Sequence, residues 1–137
     1  MRGLIHHIDL TVRDVAVSGP IYDAVLGFMG YRRTREQVDG IDWDRDVPGL
    51  FCSIGIKPAR HDVTHDRYTP GLHHIAWAAQ SRADVDALHA ELQRVGATIL
   101  DPPADYLQYG AGYYAVFFAD PDGLKFEYVH VPGQTSG

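Results

Sequence analysis

His6-His7-Ile8-Asp9-Leu10-Thr11-Val12 opens the first half of the chain, and His73-His74-Ile75-Ala76-Trp77-Ala78-Ala79 opens the second. Each block leads into a stretch of helical character that ends at a glycine, Gly27 in one half and Gly96 in the other. The halves also finish alike. Pro48-Gly49-Leu50-Phe51-Cys52-Ser53-Ile54-Gly55-Ile56-Lys57-Pro58 aligns with Asp122-Gly123-Leu124-Lys125-Phe126-Glu127-Tyr128-Val129-His130-Val131-Pro132, with glycine, leucine and the closing proline in step. A start, a helix and an end that recur in one order mark an internal duplication. The second half is slightly longer, and the surplus falls in the Pro-, Tyr- and Gly-rich loop between Asp101 and Gly112.

Within each half the pattern reads strand, helix, strand, strand, strand. Alternating, β-branched residues over Ile5–Val12 predict the first strand. Pro20 suits a first helical turn, so the first helix is expected to become regular near it, with Tyr22, Val25 and Leu26 inward. Strands are expected around Tyr31–Gln37, Ile41–Arg45 and Leu50–Lys57. In the second half, His73–Ala79 reads as a strand, and Ser81 with Asp84 as a helix start. Val85, Leu88, Leu92 and Val95 give one apolar helical stripe, stopped by Gly96. Strands follow at Ala97–Leu100, Tyr113–Ala119 and Leu124–Val131. Asp120-Pro121-Asp122-Gly123 is the turn between the last two. A helix with one apolar stripe must cover one sheet face, which leaves the opposite face able to curve into a cup.

Composition excludes several function classes. The chain has 137 residues, which fits one compact domain, here two modules at about 1–60 and about 70–132. The net charge of −6 lacks the positive footprint that nucleic acid demands. Cys52 is the only cysteine, so it cannot staple the chain. No apolar run is long enough for a bilayer, and the first residues do not form a leader. A cytoplasmic location is the expectation, with neither nucleic acid nor membrane as partner. Eight histidines point toward metal or proton chemistry.

Strand alternation sorts side chains to two faces. Ile8, Leu10 and Val12 belong under a helix, so His7, Asp9 and Thr11 face the cup. In the second half, Ile75 and Trp77 pack, while His74, Ala76 and Ala78 face the cup. On the last strand Phe126 and Tyr128 pack, which places Lys125, Glu127 and Val129 on the solvated concave side. By the same alternation His6 and His73 point away, and His130 packs with Phe126 and Tyr128. His61 and His65 lie in the linker and are expected to face solvent. Two imidazoles at pseudo-equivalent positions and one carboxylate, His7, His74 and Glu127, then suit one divalent cation (Zn, Mn, Ni or Fe(II)) with coordination positions left open.

The strings HHIDLTVRD, GLHHIAWAA and DPDGLKFEYVHVP resemble the vicinal oxygen chelate superfamily of glyoxalases, ring-cleaving dioxygenases, fosfomycin-resistance thiol transferases and bleomycin-binding proteins. The resemblance covers nearly the whole chain. It implies an α+β fold of two βαβββ modules, a curved mixed-sheet cup with helices outside, and a metal held by His7, His74 and Glu127. It also implies a homodimer, with sites that in several such proteins take ligands from two chains. One position departs from the pattern. Where glyoxalase I carries a fourth ligand, a glutamate, this chain has Ser53.

The cup-facing residues then divide by role. Asp9 and Tyr113 are the candidate catalytic groups, Asp9 as a general base or a partner of a ligand. Thr11, Ser53, Phe117 and Tyr109 are the candidate substrate contacts. Phe117 and Tyr113 would form an aromatic wall. Tyr109 sits in a glycine-flanked loop suited to a lid. Two functions follow. One is a metal-dependent enzyme, lyase, thiol transferase or dioxygenase, acting on a small molecule with neighbouring oxygens. The other is a non-catalytic module that sequesters a drug or metabolite, which has no need of the three ligands.

Overall fold

The structure is a computed structural model, and it describes residues 2–134. The chain divides into two compact units, Met1–Val63 and Thr64–Gly137. Each unit is one βαβββ module with its own four-stranded mixed sheet, so the fold is α+β.

Unit 1 contains β1 (His7–Val12), α1 (Val15–Phe28), β2 (Arg32–Gln37), β3 (Gly40–Val47) and β4 (Leu50–Pro58). Its strand order is β1-β4-β3-β2, with β1 parallel to β4 and the other pairs antiparallel. The expected alternation holds on β1. Leu10 and Val12 are buried, while His7, Asp9 and Thr11 are exposed. α1 lies on β2, β3 and β4 and buries Tyr22, Val25 and Leu26 against them. Gly19 lets the helix come close, since a Cβ there would stand 3.2 Å from the Ile41 side chain.

α1 starts a full turn earlier than Pro20 predicts. Asp14 caps it by accepting from the Ala16 and Val17 amides. Pro20 therefore sits inside the helix. It costs the hydrogen bond it would have given to the Ala16 carbonyl, while the Asp14 cap and the buried stripe hold the helix on both sides of it.

Unit 2 contains β5 (Ile75–Ala78), α2 (Arg82–Arg94), β6 (Thr98–Asp105), a short 3-10 turn at Leu107–Tyr109, β7 (Tyr114–Ala119) and β8 (Lys125–His130). Its strand order is β5-β8-β7-β6, with β5 parallel to β8. The two units thus share one topology, as the duplicated sequence requires. Ser81 caps α2 by accepting from the Asp84 amide, and Gly96 takes a positive φ of 71° just past its end. Val85, Leu88 and Leu92 are fully buried, each contributing about 1.5–3 kcal/mol of transfer free energy. The Asp84 carboxylate accepts from the Tyr128 hydroxyl at 2.7 Å, which ties the helix start to β8.

Several strand ends differ from expectation: β1 begins at His7 and not Ile5, and β3 extends over Gly40–Val47. β5 is shorter, so His73 and His74 precede it. β6 is longer and runs through Pro102 and Pro103. It tolerates them because it is an edge strand whose pairing with β7 shifts register between Asp101 and Ala104. Among the described residues, no helix is long and apolar enough to cross a membrane.

Candidate functional site

β8 is an inner strand of unit 2, paired with β5 on one side and β7 on the other. Glu127 stands on it between Ala76 and Phe117. Cross-strand partners share a face, so these three point away from the face that carries Phe126 and Tyr128. The face is the one the alternation assigns, but Glu127 does not lie open to water there. It is only 2% exposed. Phe117, Tyr113 and His74 crowd around its carboxylate. The sequence pattern reports the face of a strand residue, whereas its depth depends on side chains arriving from the neighbouring strand and loop.

The carboxylate has two partners. His74 Nε2 lies 3.2 Å from Glu127 Oε1, and the Tyr113 hydroxyl donates to Oε2. Burial, then the hydrogen bond to Glu127, holds the Tyr113 phenol well above its ordinary ionisation range. Tyr113 is therefore a proton donor to the carboxylate throughout neutral pH. Behind these groups stands a cluster of rings. Tyr106 meets Phe117 edge-on at 5.4 Å and stacks on Tyr109 at 5.8 Å, and Tyr109 meets Tyr113 at 5.4 Å. The Lys125 ammonium sits 4.7 Å over the Phe117 ring. Tyr109 itself is 62% exposed, at the tip of the 3-10 turn. Tyr106 is the member that sequence reasoning treats only as part of a loop. Its signal, an aromatic residue three positions before another, is too common to stand out.

His73 and His74 contradict the expected alternation. Their Nδ1 atoms are 2.7 Å apart, so the rings meet instead of pointing to opposite faces. Alternation applies to extended strand residues, and both precede β5. The Tyr68 and His73 rings meet in a T-shaped arrangement at 5.8 Å. Desolvation, followed by the neighbouring His74, Lys125 and Arg67, holds the His73 imidazole below its ordinary range.

Unit 1 presents the other predicted residues on one face of its sheet. His7 pairs with Ser53, and Ser53 with Asp44, while Asp9 pairs with Gly55, and Gly55 with Asp42. His7 repeats the doublet, with Nδ1 3.0 Å from His6 Nδ1 and the His6 ring 4.8 Å from Phe51. Asp9 faces Asp42 across Gly55, because a Cβ at Gly55 would fall 2.4 Å from Asp9 Oδ1 and 2.6 Å from Asp42 Oδ1. Asp42 also pairs with Arg35 at 3.4 Å. Thr11, next along β1, pairs with Lys57.

His61 is exposed as expected, but His65 is half-buried with its Nε2 atom shielded, since the segment folds back in a turn at Asp66–Thr69. His130 packs as expected and approaches the Ala79 carbonyl at 3.4 Å.

The donors of unit 2 fit a divalent cation. One imidazole nitrogen and one carboxylate oxygen already lie close together, and both are ligands for Zn, Mn, Ni or Fe(II). The outer imidazole and the phenol supply the second ring of contacts that such ligands ordinarily have. Among the described residues, no three His, Cys, Asp or Glu side chains are placed together to hold a metal ion.

Over residues 4–128 the sequence matches the Glyoxalase/Bleomycin resistance protein/Dioxygenase superfamily. It is 33% identical over 125 residues to YqjT, an uncharacterized protein of Bacillus subtilis (strain 168), covering 91% of this chain and 97% of that one. A solved glyoxalase-type structure from Bacillus halodurans is similar with a TM-score of 0.79 and 28% identity, covering 95% of this chain and 97% of that one. The genomically encoded fosfomycin resistance protein FosX of Listeria monocytogenes gives a TM-score of 0.68 at 21% identity, covering 98% of each chain, a likeness of fold.

Proposed function

Since the chain belongs to the Glyoxalase/Bleomycin resistance protein/Dioxygenase superfamily, we propose that it is a metal-dependent enzyme acting on a small molecule with neighbouring oxygen atoms. The reaction is of the lyase, thiol-transferase or dioxygenase type. His74 and Glu127 hold the cation, and His7, at the equivalent position of the other module, is the third ligand, from the same chain or from a second copy. A bound divalent cation would supply Lewis acidity to two adjacent substrate oxygens.

The protein groups have distinct tasks. Tyr113 holds Glu127 by hydrogen bond and keeps its proton. Phe117, Tyr106 and Tyr109 offer ring surface to the organic part of the substrate. Asp9, with Asp42 across Gly55, is the candidate acid or base of unit 1, and Thr11 and Ser53 are candidate substrate contacts. The observation that carries this reading is the deeply buried Glu127 carboxylate beside His74 Nε2. A carboxylate is expensive to bury, and a site for a cation gives it a use. The ring cluster equally suits a non-catalytic binder, and that is the second reading.

One experiment separates them. Protein purified without chelator is analysed for metal, reconstituted anaerobically, and offered methylglyoxal-thiol adducts, catechols and fosfomycin. The expected result is stoichiometric metal and turnover of one class, both lost in Glu127→Ala. Retention of metal in Glu127→Ala would refute the ligand assignment. Tight binding without turnover or metal would establish the binder.

A further inference from the structure

We propose that His73 is a positioning residue for His74, and that His6 serves His7 in the same way. In each doublet the outer ring fixes the rotation and the tautomer of the inner ring through an Nδ1–Nδ1 hydrogen bond. The role in metal binding rests on the reading of His74 as a ligand, while the hydrogen bond itself does not.

Neighbouring residues in extended chain ordinarily point to opposite faces, so their rings do not meet. Here they meet twice, at 2.7 Å in unit 2 and 3.0 Å in unit 1. Each outer ring also has an aromatic neighbour, Tyr68 for His73 and Phe51 for His6. Those neighbours come from unrelated places, a linker turn in one unit and β4 in the other. The two modules thus reach one arrangement by different supports.

A contact between two Nδ1 atoms requires one proton and one lone pair. Without metal, His74 Nε2 faces the Glu127 carboxylate, which accepts. His74 then carries its proton on Nε2, and its bare Nδ1 accepts from His73 Nδ1–H. With a cation on Nε2, His74 must carry its proton on Nδ1 instead. That proton now donates to His73 Nδ1, and His73 holds its own proton on Nε2. An imidazole at position 73 serves both states without moving. An asparagine would also serve, because its amide group reaches the Nδ1 position and can rotate. A glutamine places its amide one atom too far, and a phenylalanine offers no partner.

The test combines imidazole ¹⁵N NMR with calorimetric Zn(II) titration of the full chain, the parent beside His73→Asn, His73→Gln, His73→Phe and His74→Ala, with His89→Gln as control. In the metal-free parent, His73 and His74 are expected in opposite tautomers, exchanging roles as Zn(II) is added. His73→Gln and His73→Phe should bind Zn(II) about 10- to 100-fold more weakly, with His73→Asn and His89→Gln close to the parent. Parent-like affinity in both His73→Gln and His73→Phe, with binding lost in His74→Ala, would overturn the positioning role alone. Parent-like affinity in His74→Ala would overturn the ligand reading and the metal-linked role together. Identical tautomers for the two rings in metal-free protein would overturn the hydrogen bond.

Discussion

Glu127 is held where water would serve its charge better. Its carboxylate has one phenol and one imidazole in place of a hydration shell, and such partial compensation leaves a net cost. Glu127→Leu combined with Tyr113→Phe keeps the volume and removes both the charge and the phenol that would otherwise lose its acceptor. The metal-free stability of this double variant should equal or exceed that of the parent, by up to about 4 kcal/mol, in urea unfolding monitored by circular dichroism. A loss of about 2 kcal/mol or more, the scale of breaking a buried hydrogen-bonded charge, would mean that Glu127 is there for structure. At this scale the sequence was partly legible. The doublets, the last-strand glutamate and the pseudo-equivalence of His7 and His74 stand in the letters. The meeting of His73 with His74, the burial of Glu127 and the placing of Asp9 and Asp42 on either side of Gly55 do not. Each depends on a neighbour that is distant in sequence or on backbone that is not extended.

Among the elements, those with local signals were readable. Ser81, Asp84 and Gly96 bracket α2, and Asp120-Pro121-Asp122-Gly123 turns β7 into β8, because caps and turns are decided within a few residues. α1 and β6 were misjudged at their prolines, where a local rule yields to packing and to edge position. Gly40 shows the opposite case, a residue that tertiary structure leaves no choice. It opens β3 with a φ of 148°, and a Cβ there would lie 2.4 Å from the Ile56 carbonyl oxygen of the paired strand. Gly40→Ala should therefore destabilise the protein by at least about 1–3 kcal/mol, read as a fall in the urea midpoint. An unchanged midpoint would show that the β2–β3 hairpin relaxes freely, contrary to the close backbone approach seen here.

On the scale of the whole molecule, duplication explains why a short chain carries two of everything: two βαβββ modules, two histidine doublets and two parallel strand pairs. The copies have since diverged. Position 53 of β4 is a serine that pairs with His7, and unit 1 has set its carboxylates at Asp9, Asp42 and Asp44 instead. Unit 2 keeps a buried carboxylate and adds the aromatic cluster. The most direct measurement is X-ray absorption at the zinc edge on Zn(II)-loaded protein, parent against His74→Ala. Nitrogen and oxygen neighbours at about 2.0–2.2 Å with imidazole scattering are expected, the imidazole signal falling when His74 is removed. A spectrum that is identical in the two proteins, or one dominated by sulfur from Cys52, would contradict the assignment.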